Sequence, residues 1–164
     1  MSMAALWLLE FDGEPPEGAE CWRALDDGPH RAYAESDVCP GYGWLALQPL
    51  QWLDGCSAGE RPTHHYVVET DVAPGHEADF EAWYAQEHLP GLAAVPGTVQ
   101  ARRHRRAAAP HHLASYHLTA ADVLQSSAWL AVRATPWSDR VRPQFRHTRR
   151  RMFVAWDAEV AADR

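Results

Sequence analysis

A histidine and a tyrosine stand four residues apart in the segment 73–97, together with two further aromatic residues at helical spacing. Phe80, Trp83, Tyr84 and His88 follow an i, i+3, i+4, i+8 pattern, which places their side chains on one face of a helix. A histidine titrates near neutral pH and can pass a proton in either direction. A tyrosine hydroxyl can donate to a carbonyl, and aromatic rings can wall an apolar pocket. The spacing therefore predicts His88 and Tyr84 as a catalytic pair, with Phe80 and Trp83 beside a substrate.

The sequence leaves a structural role open for the same residues. The helix is predicted to stop at Pro90-Gly91, directly after His88. A histidine in the last turn can bond to a free carbonyl there, where the helix dipole favours positive charge. Phe80 and Trp83 can equally pack between the helix and a sheet as ordinary core residues. His88 is thus either a catalyst or a helix cap.

Four further candidates for substrate binding follow residue 100. The segment Arg102–Arg106, with His104 at its centre, is predicted to be a strand at the edge of a sheet, where charges block aggregation, make dimer contacts or hold an anionic ligand group. His117 lies on the strand face opposite Tyr116 and can point into a pocket. Trp137 falls in an irregular stretch that can fold over the pocket mouth. The predicted substrate-binding residues of this region are Arg102, His104, His117 and Trp137.

The sequence favours neither a metal nor a cofactor. Two adjacent pairs, His64-His65 and His111-His112, suggest a metal, but neighbours on a strand face opposite sides and do not easily ligate one ion. One histidine of each pair could still meet across paired strands. No haem ligand is identifiable from spacing, and the chain has no phosphate-binding glycine-rich loop, dinucleotide fingerprint, nucleophile elbow or cysteine redox motif. We therefore predict no metal site and no cofactor.

The elements that must position these residues form two sections. Residues 63–158 read as strand, helix, strand, strand, helix, strand, which is the ferredoxin-like βαββαβ order of an α+β fold. Residues 1–62 read as a β-α-β half-repeat and linker, with strands at 4–11 and 42–50 around a helix over 17–36 that Gly28-Pro29 interrupts. Residues 159–164 are predicted to be a C-terminal tail.

Charge is distributed unevenly along the 164 residues, which carry a net charge of −7. Residues 1–62 hold 3 arginines against 11 acidic residues, whereas residues 102–152 hold 11 arginines against 2. The acidic section is a nearer partner for these arginines than nucleic acid is, so no nucleic-acid partner is predicted. The 3 cysteines lack metal-ligand spacing, and no stretch is apolar enough for a signal peptide or membrane span, which predicts a cytoplasmic protein.

Several short motifs resemble those of the dimeric α/β-barrel superfamily, and within it the EthD-like members. These motifs are Phe80, Trp83-Tyr84, Glu87-His88-Leu89-Pro90, Val95-Pro96-Gly97, Ala101-Arg102-Arg103, Ser127-Ala128-Trp129 and Thr135-Pro136-Trp137. The resemblance covers about residues 64–153. It implies a ferredoxin-like sheet that packs against the sheet of a second subunit to form a barrel, and therefore a homodimer. Residues 1–62 depart from this pattern, so either an extra half-repeat joins the sheet or the barrel is altered.

The resemblance does not fix a reaction, because related barrels include monooxygenases, isomerases, dehydratases, cyclases and haem enzymes. We predict a cofactor-independent enzyme that acts on a small hydrophobic, aromatic or polyketide-like molecule by histidine-mediated proton transfer, as in an isomerase, dehydratase or cyclase. Two alternatives stay open at this point. One is a cofactor-free monooxygenase on the same barrel, and the other is a non-catalytic ligand-binding or structural dimer.

Overall fold

Eight antiparallel strands close into one barrel in the computed structural model, which describes residues 5–157. The strands are β1 (Leu6–Phe11), β2 (Glu20–Ala24), β3 (His30–Glu35), β4 (Leu45–Asp54), β5 (His64–Val72), β6 (Thr98–Arg105), β7 (His112–Leu118) and β8 (Phe145–Ala155). Their order around the barrel is β1-β3-β2-β8-β5-β7-β6-β4, and β4 pairs with β1 to close it. Both sections of the chain contribute four strands, so the N-terminal section joins the sheet.

The prediction of a helix over residues 17–36 is wrong. This segment forms the antiparallel hairpin of β2 and β3. The spacing of Ala19, Trp22 and Leu25 suggested a helix, but Leu25 is 56% exposed and belongs to no buried stripe. The period is that of a strand: Trp22 and Tyr33 are buried inside the barrel while their neighbours alternate outward. Gly28-Pro29 lies in the turn that joins the two strands.

The helical segments lie between the strands of the second section and cover one outer face of the barrel. They are α1 (Glu77–Trp83), a π-helical turn (Tyr84–His88), α2 (Leu89–Ala93), a 3₁₀ turn (Ala121–Gln125), α3 (Ser127–Arg133), α4 (Pro136–Val141) and a 3₁₀ turn (Arg142–Gln144). Their buried side chains form a second core against the outer faces of β5, β6 and β7. The second section therefore runs strand, helix, strand, strand, helices, strand.

The first helix does not stop after His88, contrary to the sequence prediction. The π-helical turn lengthens the hydrogen bonds to i+5, with the amide of Leu89 donating to the carbonyl of Tyr84, and the chain continues as α2. Pro90 lies at the start of α2, directly after the π-helical turn. A π-helical turn inside a helix commonly accompanies a functional site. It also turns His88 inward, where the side chain is 7% exposed.

The helical segments after β7 begin with a 3₁₀ turn rather than an α-helix. A 3₁₀ turn ends at Gln125, and the Ser126 hydroxyl accepts from the amide of Trp129 to cap α3. Ser126 is therefore the residue that caps this helix. The short turn directs Trp129 into the core beneath α3.

The strand that carries Arg102 to Arg105 lies inside the sheet rather than at an edge, because β4 of the first section pairs with β6 on its open side. The acidic section, residues 1–62, contacts the arginine-rich section through Arg102–Glu20 and Arg151–Asp26. The barrel that the family resemblance assigns to two subunits is closed here by one chain, so the sheet needs no partner. A homodimer remains a prediction. None of the helices in residues 5–157 is both long and apolar enough to cross a membrane.

Candidate active site between the helices and the sheet

The structure distributes the predicted site residues over two faces of the sheet, because alternate residues of a strand point to opposite sides. His88, Tyr84 and Trp83 line a cavity between the helices and the outer face of the barrel. Arg102 and His117 instead contact residues inside the barrel. No single pocket therefore contains all the predicted residues.

The cavity beside His88 has aromatic walls and a cationic rim. Its volume is about 50 Å³, and it opens to solvent. Its lining residues come from β5, β7, β8 and the helical layer. They are Tyr66, Val68, Trp83, Tyr84, His88, Leu92, Tyr116, Leu124, Trp129, Arg133, Arg142, Phe145 and Arg150.

His88 is a neutral imidazole with one unsatisfied ring nitrogen. Its ring stacks on Trp83 with centroids 4.1 Å apart and meets Tyr84 edge-on at 5.3 Å. Its Nδ1 atom is buried and has no hydrogen-bond partner among the described residues. Burial, followed by the charges of Arg142 and Arg133, lowers the pKa of His88 to about 3. The side chain is therefore uncharged at neutral pH, which argues against a helix-capping cation.

Three tyrosines present hydroxyl groups to the same region. Burial raises the pKa of Tyr84 to about 12, so its hydroxyl stays protonated and can donate a hydrogen bond. Burial also raises the pKa of Tyr116, and the neighbouring phenols of Tyr84 and Tyr66 add to this. Tyr66 pairs directly with Tyr116 across β5 and β7. The Tyr116 hydroxyl lies close to that of Tyr84 but forms no hydrogen bond of regular geometry within the described part of the chain. Together with His88, these groups could bind a ligand oxygen.

Phe80 and Trp137 do not line the cavity. Phe80 is fully buried against His112, Phe145 and its helix neighbours, which is a core position. The Trp137 indole donates to Asp79 at 3.0 Å, so it joins α4 to α1 on the outer side of the helical layer. The structure therefore places neither residue where it would contact a ligand of this cavity.

Inside the barrel, Glu20 organises a directed chain of hydrogen bonds. The hydrogen bond from His117 and the charge of Arg102 hold the pKa of Glu20 far below its ordinary value, although burial opposes them. Since Glu20 is a carboxylate, Nε2 of His117 must donate to it, at 3.1 Å. Nδ1 of His117 then accepts from Nδ1 of His65 at 3.0 Å, and Nε2 of His65 accepts from the Tyr33 hydroxyl at 2.8 Å. The carboxylate thus fixes both histidine tautomers.

This internal chain ends at an open cavity of about 580 Å³ at one end of the barrel. Arg102 lines it, donates to Glu20 and Ser115, and lies over the rings of Tyr33 and Trp52. Both ring nitrogens of His117 are used within the protein, which leaves neither free to accept a substrate proton. The arrangement favours a structural role for His117 and Arg102 in holding the two sections together.

His104 lies on the same face of β6 as Arg102 and is 2% exposed. Burial, with the charges of Arg102 and Arg103 adding to it, lowers the pKa of His104 to about 3. Arg103 points to the opposite face, where it forms a two-pronged ion pair with Glu81 and lies 4.5 Å from the Tyr84 ring centroid. Arg103, rather than Arg102 or His104, is therefore the arginine of this strand that supports the His88 cavity.

The histidine pairs do not assemble as a metal site would require. His65 meets His117, whereas His112 contacts Phe80 and Glu81 on the other side of the sheet. Among residues 5–157, no group of three histidine, cysteine, aspartate or glutamate side chains is placed to hold a metal ion. The thiols of Cys21, Cys39 and Cys56 are free.

Sequence reasoning missed several cavity residues. Strand alternation places Tyr116 opposite His117, and the same rule applied to β5 would have placed Tyr66 beside it. Arg133, Arg142 and Arg150 come from three separate elements, so no local pattern indicates that they converge. Glu20 and Tyr33 were missed because the helix prediction for residues 17–36 obscured the inward faces of β2 and β3. His65 was considered only as a metal ligand, because its partner Tyr33 lies in that mispredicted segment.

Comparisons with known proteins identify the fold but not a family. No protein-family model matches the chain, and no curated protein matches its sequence. A major regulator of staphylococcal pathogenesis superposes with a TM-score of 0.66 at 12% identity, covering 92% of this chain and 98% of that one. The haem-degrading enzyme LmHde of Listeria monocytogenes gives 0.59 at 10% identity, covering 92% and 99%.

A third structure with this fold is an uncharacterized ferredoxin-fold protein of Listeria monocytogenes related to antibiotic biosynthesis monooxygenases. It has a TM-score of 0.59 at 10% identity and covers 93% of this chain and 95% of that one. At such low identity the similarity concerns the fold alone, and closer kinship with EthD-like members remains a prediction. The chain has the ferredoxin-like fold of proteins related to antibiotic biosynthesis monooxygenases.

Proposed function

We propose that the protein is an enzyme that removes a proton from a small hydrophobic, aromatic or polyketide-like molecule bound in the cavity between helices and sheet. His88 accepts the proton and the Tyr84 hydroxyl donates a hydrogen bond to a substrate oxygen. One observation carries this proposal. The Nδ1 atom of His88 and the hydroxyl of Tyr116 are both buried without a partner among residues 5–157, and both residues line the same aromatic cavity.

A substrate would supply the hydrogen-bond partners that Nδ1 of His88 and the Tyr116 hydroxyl lack. Leaving a buried polar group unpaired costs about 1–3 kcal/mol, so a ligand that bonds to both atoms recovers free energy on binding. The imidazole of His88 is in its proton-accepting form at every pH above about 3. The phenol of Tyr84 stays in its donating form because its pKa is raised to about 12. The two protonation states match a base and a hydrogen-bond donor.

The proposed step transfers one proton and leaves an anion. The proton of an acidic hydroxyl or C–H group passes to Nδ1 of His88, and the negative charge that develops on the substrate oxygen is stabilised by the Tyr84 hydroxyl. Return of the proton at another position gives an isomerase, and loss of water or ring closure gives a dehydratase or cyclase. Burial of the pair excludes water, which strengthens both interactions.

A cofactor-free monooxygenase is the second candidate. Here the deprotonated, electron-rich substrate itself reduces dioxygen. The fold comparisons favour this candidate, because one neighbour is described as related to antibiotic biosynthesis monooxygenases. It uses the same first proton transfer to His88, so the two candidates differ only after the anion has formed.

Proton exchange tests the shared step without knowledge of the product. A panel of naphthols, anthrones and cyclic 1,3-diketones is incubated in D₂O, and exchange of acidic C–H protons is followed by NMR while an electrode records oxygen. We expect the wild type to accelerate exchange for at least one compound, and His88→Ala to lose about 100-fold of that rate. His76→Ala, an exposed histidine outside the cavity, is the matched control.

The outcomes separate the candidates. Oxygen uptake that parallels exchange supports the monooxygenase, and exchange without uptake supports the isomerase, dehydratase or cyclase. Full exchange activity in a folded His88→Ala protein would remove His88 from the mechanism. Absence of both exchange and uptake for the whole panel would contradict the proposal in favour of a non-catalytic binding protein.

A further inference from the structure

Three arginines converge on the cavity from three different elements. Arg133 ends α3, Arg142 begins the 3₁₀ turn after α4, and Arg150 lies on β8, yet all three line the space beside His88. Arg133 and Arg142 are half-buried. Burial, followed by the charges of Arg133 and Arg150, lowers the pKa of Arg142. Guanidinium groups that lie close together repel one another, which destabilises the folded state. Such unfavourable charge clusters are common at binding sites.

The acidic side chains of the region do not neutralise this cluster. Within the described residues, the other arginines on the helical side pair with carboxylates: Arg103 with Glu81 and Arg140 with Asp79. No carboxylate of residues 5–157 lies within ion-pair distance of Arg133, Arg142 or Arg150. The remaining titratable groups that line the cavity are phenols and His88. The cluster therefore lacks a carboxylate counter-charge among residues 5–157.

We propose that the cavity binds a flat apolar molecule that carries a carboxylate or comparable anionic group, held by Arg133, Arg142 and Arg150. The aromatic walls offer flat apolar surfaces for the ring system to pack against at the cavity of about 50 Å³, and the arginines hold the charge. The inference rests on the proposed function only in assigning a ligand to this cavity. It adds the chemical class of that ligand and a means by which binding activates His88.

Activation follows from electrostatics. The charges of Arg142 and Arg133 contribute to keeping His88 weakly basic in the free protein. An anion bound among the arginines offsets them, so the imidazole becomes more basic when the ligand is present. The groups that face His88 are the stacked ring of Trp83, the phenols of Tyr66, Tyr84 and Tyr116, and the arginines themselves. Only the arginines are charged at neutral pH, so they are the groups whose effect an anion can offset.

A matched pair of probes tests the charge requirement. Binding of 2-naphthoate and of the uncharged 2-naphthamide is measured by isothermal titration calorimetry. We expect naphthoate to bind about tenfold more tightly, and this preference to fall at high salt and to about threefold or less in Arg142→Gln and Arg133→Gln. Arg105→Gln, an exposed arginine of β6 outside the cavity, should keep the full preference.

An NMR titration of His88 gives a second readout that does not depend on turnover. Saturation with naphthoate should raise the pKa of His88, whereas naphthamide should leave it unchanged. Equal affinity for the two probes, absence of naphthoate binding, or a preference that survives in both arginine variants would overturn the inference. If naphthoate binds with the expected preference but His88→Ala keeps its exchange activity, the anion site stands and the catalytic proposal fails.

Discussion

Loss of stability in mild acid is the prediction that the structure makes most directly, and His104 allows it to be measured. His104 is 2% exposed, and its pKa is lowered to about 3 from an ordinary value of 6.5. Between those two values the unfolded chain binds a proton at this residue and the folded chain does not. The free energy of unfolding therefore falls as pH falls through this window, and is fully present above it.

The magnitude follows from the same two pKa values. Each pH unit within the window costs about 1.4 kcal/mol, so at about pH 4.5 His104 alone lowers the free energy of unfolding by about 3 kcal/mol relative to pH 7. His88, whose pKa is also lowered to about 3, contributes a similar amount. Buried His65 and His117 act in the same direction. Carboxylates such as Glu81, whose pKa is lowered from 4.5 to about 2, add their losses only below about pH 4.5.

His104→Leu isolates this contribution, because leucine has a similar volume and removes the titrating group. Urea unfolding is followed by tryptophan fluorescence at several pH values between about 7 and 4.5. We expect the wild type to lose several kcal/mol over this range and the variant to lose about 3 kcal/mol less. His76→Leu, at an exposed histidine, should show the wild-type pH dependence. An unchanged pH dependence in His104→Leu would refute the argument from burial.

Two further substitutions test the turn after α2 and the internal hydrogen-bond chain. Gly97 has a φ of +97°, and an added Cβ would collide with the Val123 side chain, whereas Gly75 has a φ of +87° and open space around it. Gly97→Ala should therefore lower the free energy of unfolding by about 2–4 kcal/mol, and Gly75→Ala by about 1 kcal/mol, as measured by urea titration. Equal losses in the two variants would contradict the predicted steric clash with Val123. Tyr33→Phe removes the hydroxyl that bonds to His65, so the free energy of unfolding should fall by about 1–3 kcal/mol and the His65 ring signals in NMR spectra should shift. Unchanged signals would contradict this hydrogen bond.

The second section of the fold was predictable because its signals are local. The strand, helix, strand, strand, helix, strand order predicted for residues 63–158 matches the order of β5 to β8 and the helical segments between them, since alternating apolar residues flanked by turn residues indicate a strand wherever it packs. The first section was less predictable, because Trp22 and Tyr33 have spacings that fit a helix or a hairpin equally well. The choice between helix and hairpin depends on tertiary pairing. β3 pairs with β1 and β2 pairs with β8, so both segments form strands when the barrel closes.

The candidate site was predictable only in part, for a geometric reason. His88, Tyr84 and Trp83 share one helix, so their spacing indicated that they meet. Arg133, Arg142 and Arg150 meet only after three elements have packed, and sequence spacing does not record that packing.

The two faces of the sheet differ in chemistry because a strand alternates with a period of two. On β5 and β7, His65 and His117 face inward and bond to each other, while the next residues, Tyr66 and Tyr116, face the helices. A shift of one residue in the pairing would exchange these sets, placing phenols in the barrel and histidines in the cavity. The paired register of His65 with His117 and Tyr66 with Tyr116 is therefore a condition for the proposed active site. It also explains why His88, from a helix, is the one imidazole lining that cavity within the described chain.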